Sequence, residues 1–79
     1  MELTDDVRGR IKDIVCEILE VDPGKLTETM VFSEEFGTDS VALIEILTAL
    51  EDSLGVTIDQ AEVERMVSLA GIHAAVAEA

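Results

Sequence analysis

The run Phe36-Gly37-Thr38-Asp39-Ser40-Val41 holds the residue types best arranged to do chemistry in this chain. Gly37 suits a tight turn, because a residue without Cβ takes backbone angles closed to the others. Asp39 suits a helix N-cap, where its carboxylate accepts first-turn N–H groups that lack partners. Ser40 then falls at the very start of that helix, its hydroxyl directed outward. A serine hydroxyl is a weak nucleophile until a base activates it. Two kinds of chemistry follow: hydrolysis with a nearby histidine, or modification by another protein.

The first kind fits poorly. His73 is the only histidine, and it would have to serve Ser40 as base. No Gly-x-Ser-x-Gly elbow surrounds the serine, and 79 residues leave little room for a substrate pocket and an oxyanion hole. A lone histidine on a terminal helix reads as a surface or half-buried residue. Cys16 has no activator in the sequence and reads as a small packing residue beside an apolar stripe. Glu34, Glu35 and Asp39 gather carboxylates ahead of Ser40, but their spacing matches no dedicated calcium loop. They read as solvated charge. The expectation is no catalytic residue and no metal site.

The element that must position Ser40 is an amphipathic helix over about residues 40–54. At about 100° per residue, Leu43, Ile46, Leu47, Leu50 and Leu54 share the core-facing stripe. Val41, Ile44, Glu45, Thr48 and Asp52 share the opposite face, with Glu51 at its edge. That face has two readings: a docking surface beside the serine, or a few exposed aliphatic residues without purpose.

The rest of the chain reads as helix as well. Residues 4–19 form one, capped by Thr4 or Asp5, with Val7, Ile11, Ile14, Val15, Ile18 and Leu19 on the buried stripe. Arg8, Arg10 and Lys12 place three of the five bases on it, as a solvated face. Val21-Asp22-Pro23-Gly24 breaks that helix. Residues 25–38 read as a long polar loop, packed down by Leu26, Met30, Val31, Phe32 and Phe36. Asp59 and Glu62 resemble a capping box opening a short helix over about 59–65. Ser68 caps a last helix to about residue 77, buried through Leu69, Ile72 and Val76, with Gly71 marking close packing. The fold expected is all-α: a small bundle of three main helices plus a short one.

Composition agrees. A chain of 79 residues that is 48% hydrophobic is one folded domain, 1–79, and not a disordered acidic tail. Eighteen acids against five bases give a net charge of −13, which opposes nucleic-acid binding and favours partners with basic docking surfaces. A single cysteine and the lack of a signal peptide or membrane span point to a cytoplasmic monomer.

The motif around Ser40 resembles the Gly-x-Asp-Ser-Leu motif of acyl carrier proteins, and the resemblance runs from about Val7 to Val76. It includes Ile44-Glu45-Ile46-Leu47, Ala49-Leu50-Glu51 and Leu54-Gly55-Val56-Thr57-Ile58. The resemblance implies a non-enzymatic carrier with a covalent 4′-phosphopantetheine arm, derived from coenzyme A, on Ser40. Gly37 and Asp39 are then motif residues, and Val41, Ile44, Glu45, Thr48, Glu51 and Asp52 the partner-docking face. The implied partners are a phosphopantetheinyl transferase and the enzymes that load and process acyl thioesters. Val41, Ala42 and Thr48 depart from carriers of bacterial fatty-acid synthesis and favour polyketide or other specialised biosynthesis. Peptidyl carriers usually show Gly-Gly-x-Ser, which is absent. A fatty-acid or aminoacyl carrier stays the alternative, with an acidic interaction module without covalent cargo more remote.

Overall fold

The three long helices each begin where a small polar side chain meets the orphan N–H groups of a first turn. The computed structural model describes all 79 residues, and they form helices and connections without any strand. Helix α1 (Asp5–Leu19) is capped by Thr4, whose hydroxyl accepts the Val7 N–H at 3.2 Å. Helix α2 (Phe32–Phe36) is a single short turn. Helix α3 (Ser40–Leu54) starts behind Asp39, and α4 (Leu69–Ala77) behind Ser68, whose hydroxyl accepts the Gly71 N–H at 3.2 Å. Two 3₁₀ segments, Pro23–Lys25 and Gln60–Arg65, fill the connections. The all-α bundle expected from periodicity is the fold observed.

The core draws on all of these helices. Ile11, Val15 and Cys16 of α1 meet Ile46, Leu47 and Leu50 of α3, with Leu69, Ile72, Ala75 and Val76 of α4. Phe32 enters from α2, and Leu26, Ile58 and Met66 from the connections. Leu43 and Leu54, expected on the core stripe, pack half-buried at its margins. Helix α1 packs mainly on α3, and Arg10 donates to the Ser53 carbonyl at 3.4 Å. The Met1 ammonium donates to the carbonyls of Ala77 and Ala79, so the two chain ends meet. No helix is long and apolar enough to cross a membrane.

Two expectations are corrected. Residues 25–38 are not all loop, since α2 lies within them. It escapes a periodicity search because it has five residues and its N-cap, Val31, offers no side-chain acceptor. Tertiary bonds secure it and the chain leading into it instead: the Phe32 N–H donates to the Val67 carbonyl at 2.8 Å, and the Ala70 N–H to the carbonyl of Glu28, ahead of α2, at 3.0 Å. Asp59 and Glu62 do not form a capping box. Asp59 accepts the Ala61 N–H at 2.9 Å, while the Glu62 carboxylate turns to Arg65 at 2.7 Å. The guanidinium is a charged donor and outcompetes a neutral backbone N–H.

Gly71 marks close packing, as its place in the sequence suggests. A Cβ built there would lie 1.8 Å from the Arg65 carbonyl oxygen. Only glycine lets α4 pass so near the end of the 3₁₀ segment.

Candidate functional site

The site is built at the joint between α2 and α3. Gly37 ends α2 at φ 62°, the left-handed region that costs a residue without Cβ little. That reversal lets Thr38 anchor its N–H on the Phe32 carbonyl at 3.4 Å. Asp39 follows in extended backbone, and its Oδ1 accepts the Ala42 N–H at 3.0 Å while its carbonyl accepts the Leu43 N–H at 3.3 Å. Ser40 is therefore the first residue of α3, and it is exposed. No hydrogen bond takes the N–H of Ser40 or Val41.

One atom of this joint is out of balance. The Thr38 hydroxyl is shielded from solvent and has no hydrogen-bond partner. A buried unmet hydroxyl costs roughly 1–3 kcal/mol. Nothing in the sequence distinguishes this threonine from a solvated one.

Beyond Ser40 the outer face of α3 is open. Val41 is 61% exposed and Ile44 39%. Together with Glu45, Thr48, Ala49 and Asp52 they line a shallow groove of about 430 Å³. Ala49 belongs to this groove although the helical projection did not single it out. Glu51 does not extend it. Its carboxylate accepts the Ile58 N–H at 3.0 Å and is half-buried, because the link after α3 folds back over the last turns of the helix.

His73 and Ser40 are not partners. His73 lines a separate cavity of about 370 Å³ with Arg8, Lys12, Leu26, Glu28 and Leu69. Its side chain is 13% exposed, with Nδ1 3.6 Å from the Glu28 carboxylate. Burial lowers its pKa below 6.5; Glu28 pulls the other way, and Arg8 reinforces the lowering. Cys16 is buried, and that burial pushes its thiol pKa up, away from the reactive thiolate. Glu34 and Glu35 lie exposed in the first turn of α2, and no group of three potential metal ligands converges anywhere.

A family model described as "Phosphopantetheine attachment site" matches residues 9–76. The chain is 55% identical over 72 residues to the polyketide-8 synthase acyl carrier protein 1 of Streptomyces avermitilis, covering 91% of this chain and 86% of the relative. The chain belongs to the acyl carrier proteins. A second carrier, the acyl carrier protein of Zymomonas mobilis, is 41% identical over 61 residues, covering 77% of this chain and 78% of its own.

As a family member the carrier is not an enzyme, and it bears acyl groups on a covalently attached 4′-phosphopantetheine. That group supplies a thiol on a long arm, which holds acyl groups as thioesters. The α2–α3 joint fits a serine-linked phosphate. Ser40 offers an exposed hydroxyl, the Ser40 and Val41 N–H groups offer open donors, and the Thr38 hydroxyl lacks a partner. The carrier's biological role requires a phosphopantetheinyl transferase and biosynthetic enzymes as partners.

Proposed function

We propose that residues 1–79 act as one acyl-carrier domain whose arm is attached at Ser40, serving polyketide or related specialised biosynthesis. The observation that carries the attachment is the exposure of the Ser40 hydroxyl in the first turn of α3, directly behind the Asp39 cap. Gly37 turns the chain into the joint and Asp39 holds the first turn, so the hydroxyl meets the transferase in a fixed orientation. Ser40 Oγ attacks the pantetheine-side phosphorus of the coenzyme A pyrophosphate; the P–O–P bond breaks, adenosine 3′,5′-bisphosphate leaves, and the serine proton passes to the transferase. The carrier needs no base of its own, which accords with a His73 engaged elsewhere.

The pathway reading is supported by the 55% identity to a carrier named for a polyketide synthase. Val41, Ala42 and Thr48 support it from within the sequence. Partners dock on the open face of α3, through Val41, Ile44, Glu45, Thr48 and Asp52, using basic surfaces that complement a chain of net charge −13. The carrier works as a cytoplasmic monomer, without nucleic acid or membrane. Incubation with coenzyme A and a broad-specificity transferase, read by intact mass and peptide mapping, tests the attachment. Comparing acyl loading by polyketide-type and fatty-acid-type enzymes tests the pathway.

A further inference from the structure

We propose that Thr38 is a positioning residue for the arm: its hydroxyl donates a hydrogen bond to the phosphodiester once Ser40 is modified. The inference rests on Ser40 being the attachment residue. Its starting point is the one buried side-chain polar atom that has no hydrogen-bond partner, the Thr38 Oγ1. Buried hydroxyls in folded proteins overwhelmingly find partners, so an unmet one is open to an acceptor that the polypeptide does not supply. This one lies two residues before the serine that receives a phosphate.

Charge makes the need for such a donor acute. A phosphodiester brings a new negative charge to a chain already at −13, beside Glu34, Glu35 and Asp39. No lysine or arginine occurs between Lys25 and Arg65. Arg8 faces Glu28, Arg10 donates to the Ser53 carbonyl, and Arg65 is held by Glu62 and Glu78. The donors that the chain itself offers next to Ser40 are therefore neutral ones. The open N–H groups of Ser40 and Val41 are two of them, and the Thr38 hydroxyl is the third.

Reach and rotation permit it. Thr38 and Ser40 are two residues apart, so their Cα atoms lie at most about 7 Å from one another. The Thr38 backbone is pinned through its N–H to Phe32, between the Gly37 reversal and the Asp39 cap, so only the side chain has to turn. A step between staggered χ1 wells, about 120°, exchanges the hydroxyl for the methyl. The methyl then takes the buried position, which suits it better. An anionic acceptor favours that exchange more than neutral water does, since charge-assisted bonds are about twice as strong.

The test compares the unmodified and arm-bearing forms of wild type and Thr38→Val, which keeps the shape and removes the donor. Intact mass and peptide mapping first establish loading at Ser40. Attachment is expected to raise the wild-type Tm by roughly 4–8 °C more than that of Thr38→Val, the size that about one hydrogen bond has in a domain this small. The ³¹P resonance of the arm-bearing form should differ between the two, and Thr38→Ser should restore wild-type behaviour in both measurements. Thr38→Ala removes the donor without bulk and gives the same comparison should valine prevent folding. An equal Tm change on attachment with coincident ³¹P resonances overturns the proposal. A wild-type chain that gains no arm at Ser40 overturns the attachment reading first, and the mass alone reveals it.

Discussion

The Glu51 carboxylate accepts the Ile58 backbone N–H at 3.0 Å, tying the last turns of α3 to the link that follows. Ile58 is a core residue, so this bond fixes where the link enters the core. Glu51→Ala leaves that partly buried N–H unmet and should lower the unfolding free energy by about 1–3 kcal/mol, read by denaturant titration. Glu51→Gln keeps an acceptor and should recover most of the loss. Loading of the arm by the transferase should be unchanged in both.

Gly71 offers a steric test of the packing between α4 and the 3₁₀ segment. Alanine favours helix more than glycine does, so propensity alone predicts stabilisation of about 1 kcal/mol. The carbonyl 1.8 Å from the added Cβ outweighs it, because the clash is with backbone and not with a side chain that could swing away. Gly71→Ala should be destabilised by about 1–3 kcal/mol. A thermal melt at or above that of wild type would contradict this packing.

Much of this was legible because α3 carries its own punctuation. Asp39 and Gly55 bound it at the expected residues, and period 3.6 separates Ile46, Leu47 and Leu50 from Val41 and Ile44. Helix α2 was not legible, since one turn has no period and Val31 gives no cap signal. The capping box over Asp59 and Glu62 failed because Arg65, three residues on, competes for the same carboxylate. Glu51 and Thr38 share a different obstacle. A helical projection gives a side chain's direction from its own helix, whereas their environments are set by chain returning from elsewhere or by a turn.

The open face of α3 predicts a separation of binding from stability. Glu45→Lys sets a positive charge against a partner's basic surface, which slows association. Val41→Ala removes apolar area from the end of the groove beside Ser40, an expected loss of about 1 kcal/mol of binding. Both residues are exposed, so the unfolding free energy should change by no more than about 0.5 kcal/mol, as is typical of surface changes. Kinetics of arm transfer and acyl loading, run beside melts, check this. Wild-type rates in both variants would remove the face from the docking surface.

His73 predicts a pH dependence of known sign. Burial holds its folded pKa below 6.5, so the unfolded chain binds the proton more readily than the folded one. The stability tied to neutral His73 is thus complete above that value and is lost as pH falls from it toward the lower folded pKa. Glu28 opposes the shift and Arg8 adds to it, while Lys12 lines the same cavity. Relative to His73→Asn, wild type should lose Tm between about pH 7.5 and pH 5.5. A difference between the two that is constant, or that grows as pH falls, would contradict the sign.

The central claim is that the arm is attached at Ser40. The most direct measurement is the intact mass of wild type and Ser40→Ala after incubation with coenzyme A and a broad-specificity transferase, followed by peptide mapping. Wild type should gain the mass of one phosphopantetheinyl group, mapped to the peptide containing Ser40. Ser40→Ala should gain nothing while keeping its helical circular dichroism. Attachment at Ser33, Ser53 or Ser68, or a Ser40→Ala chain that is still modified, would contradict the account.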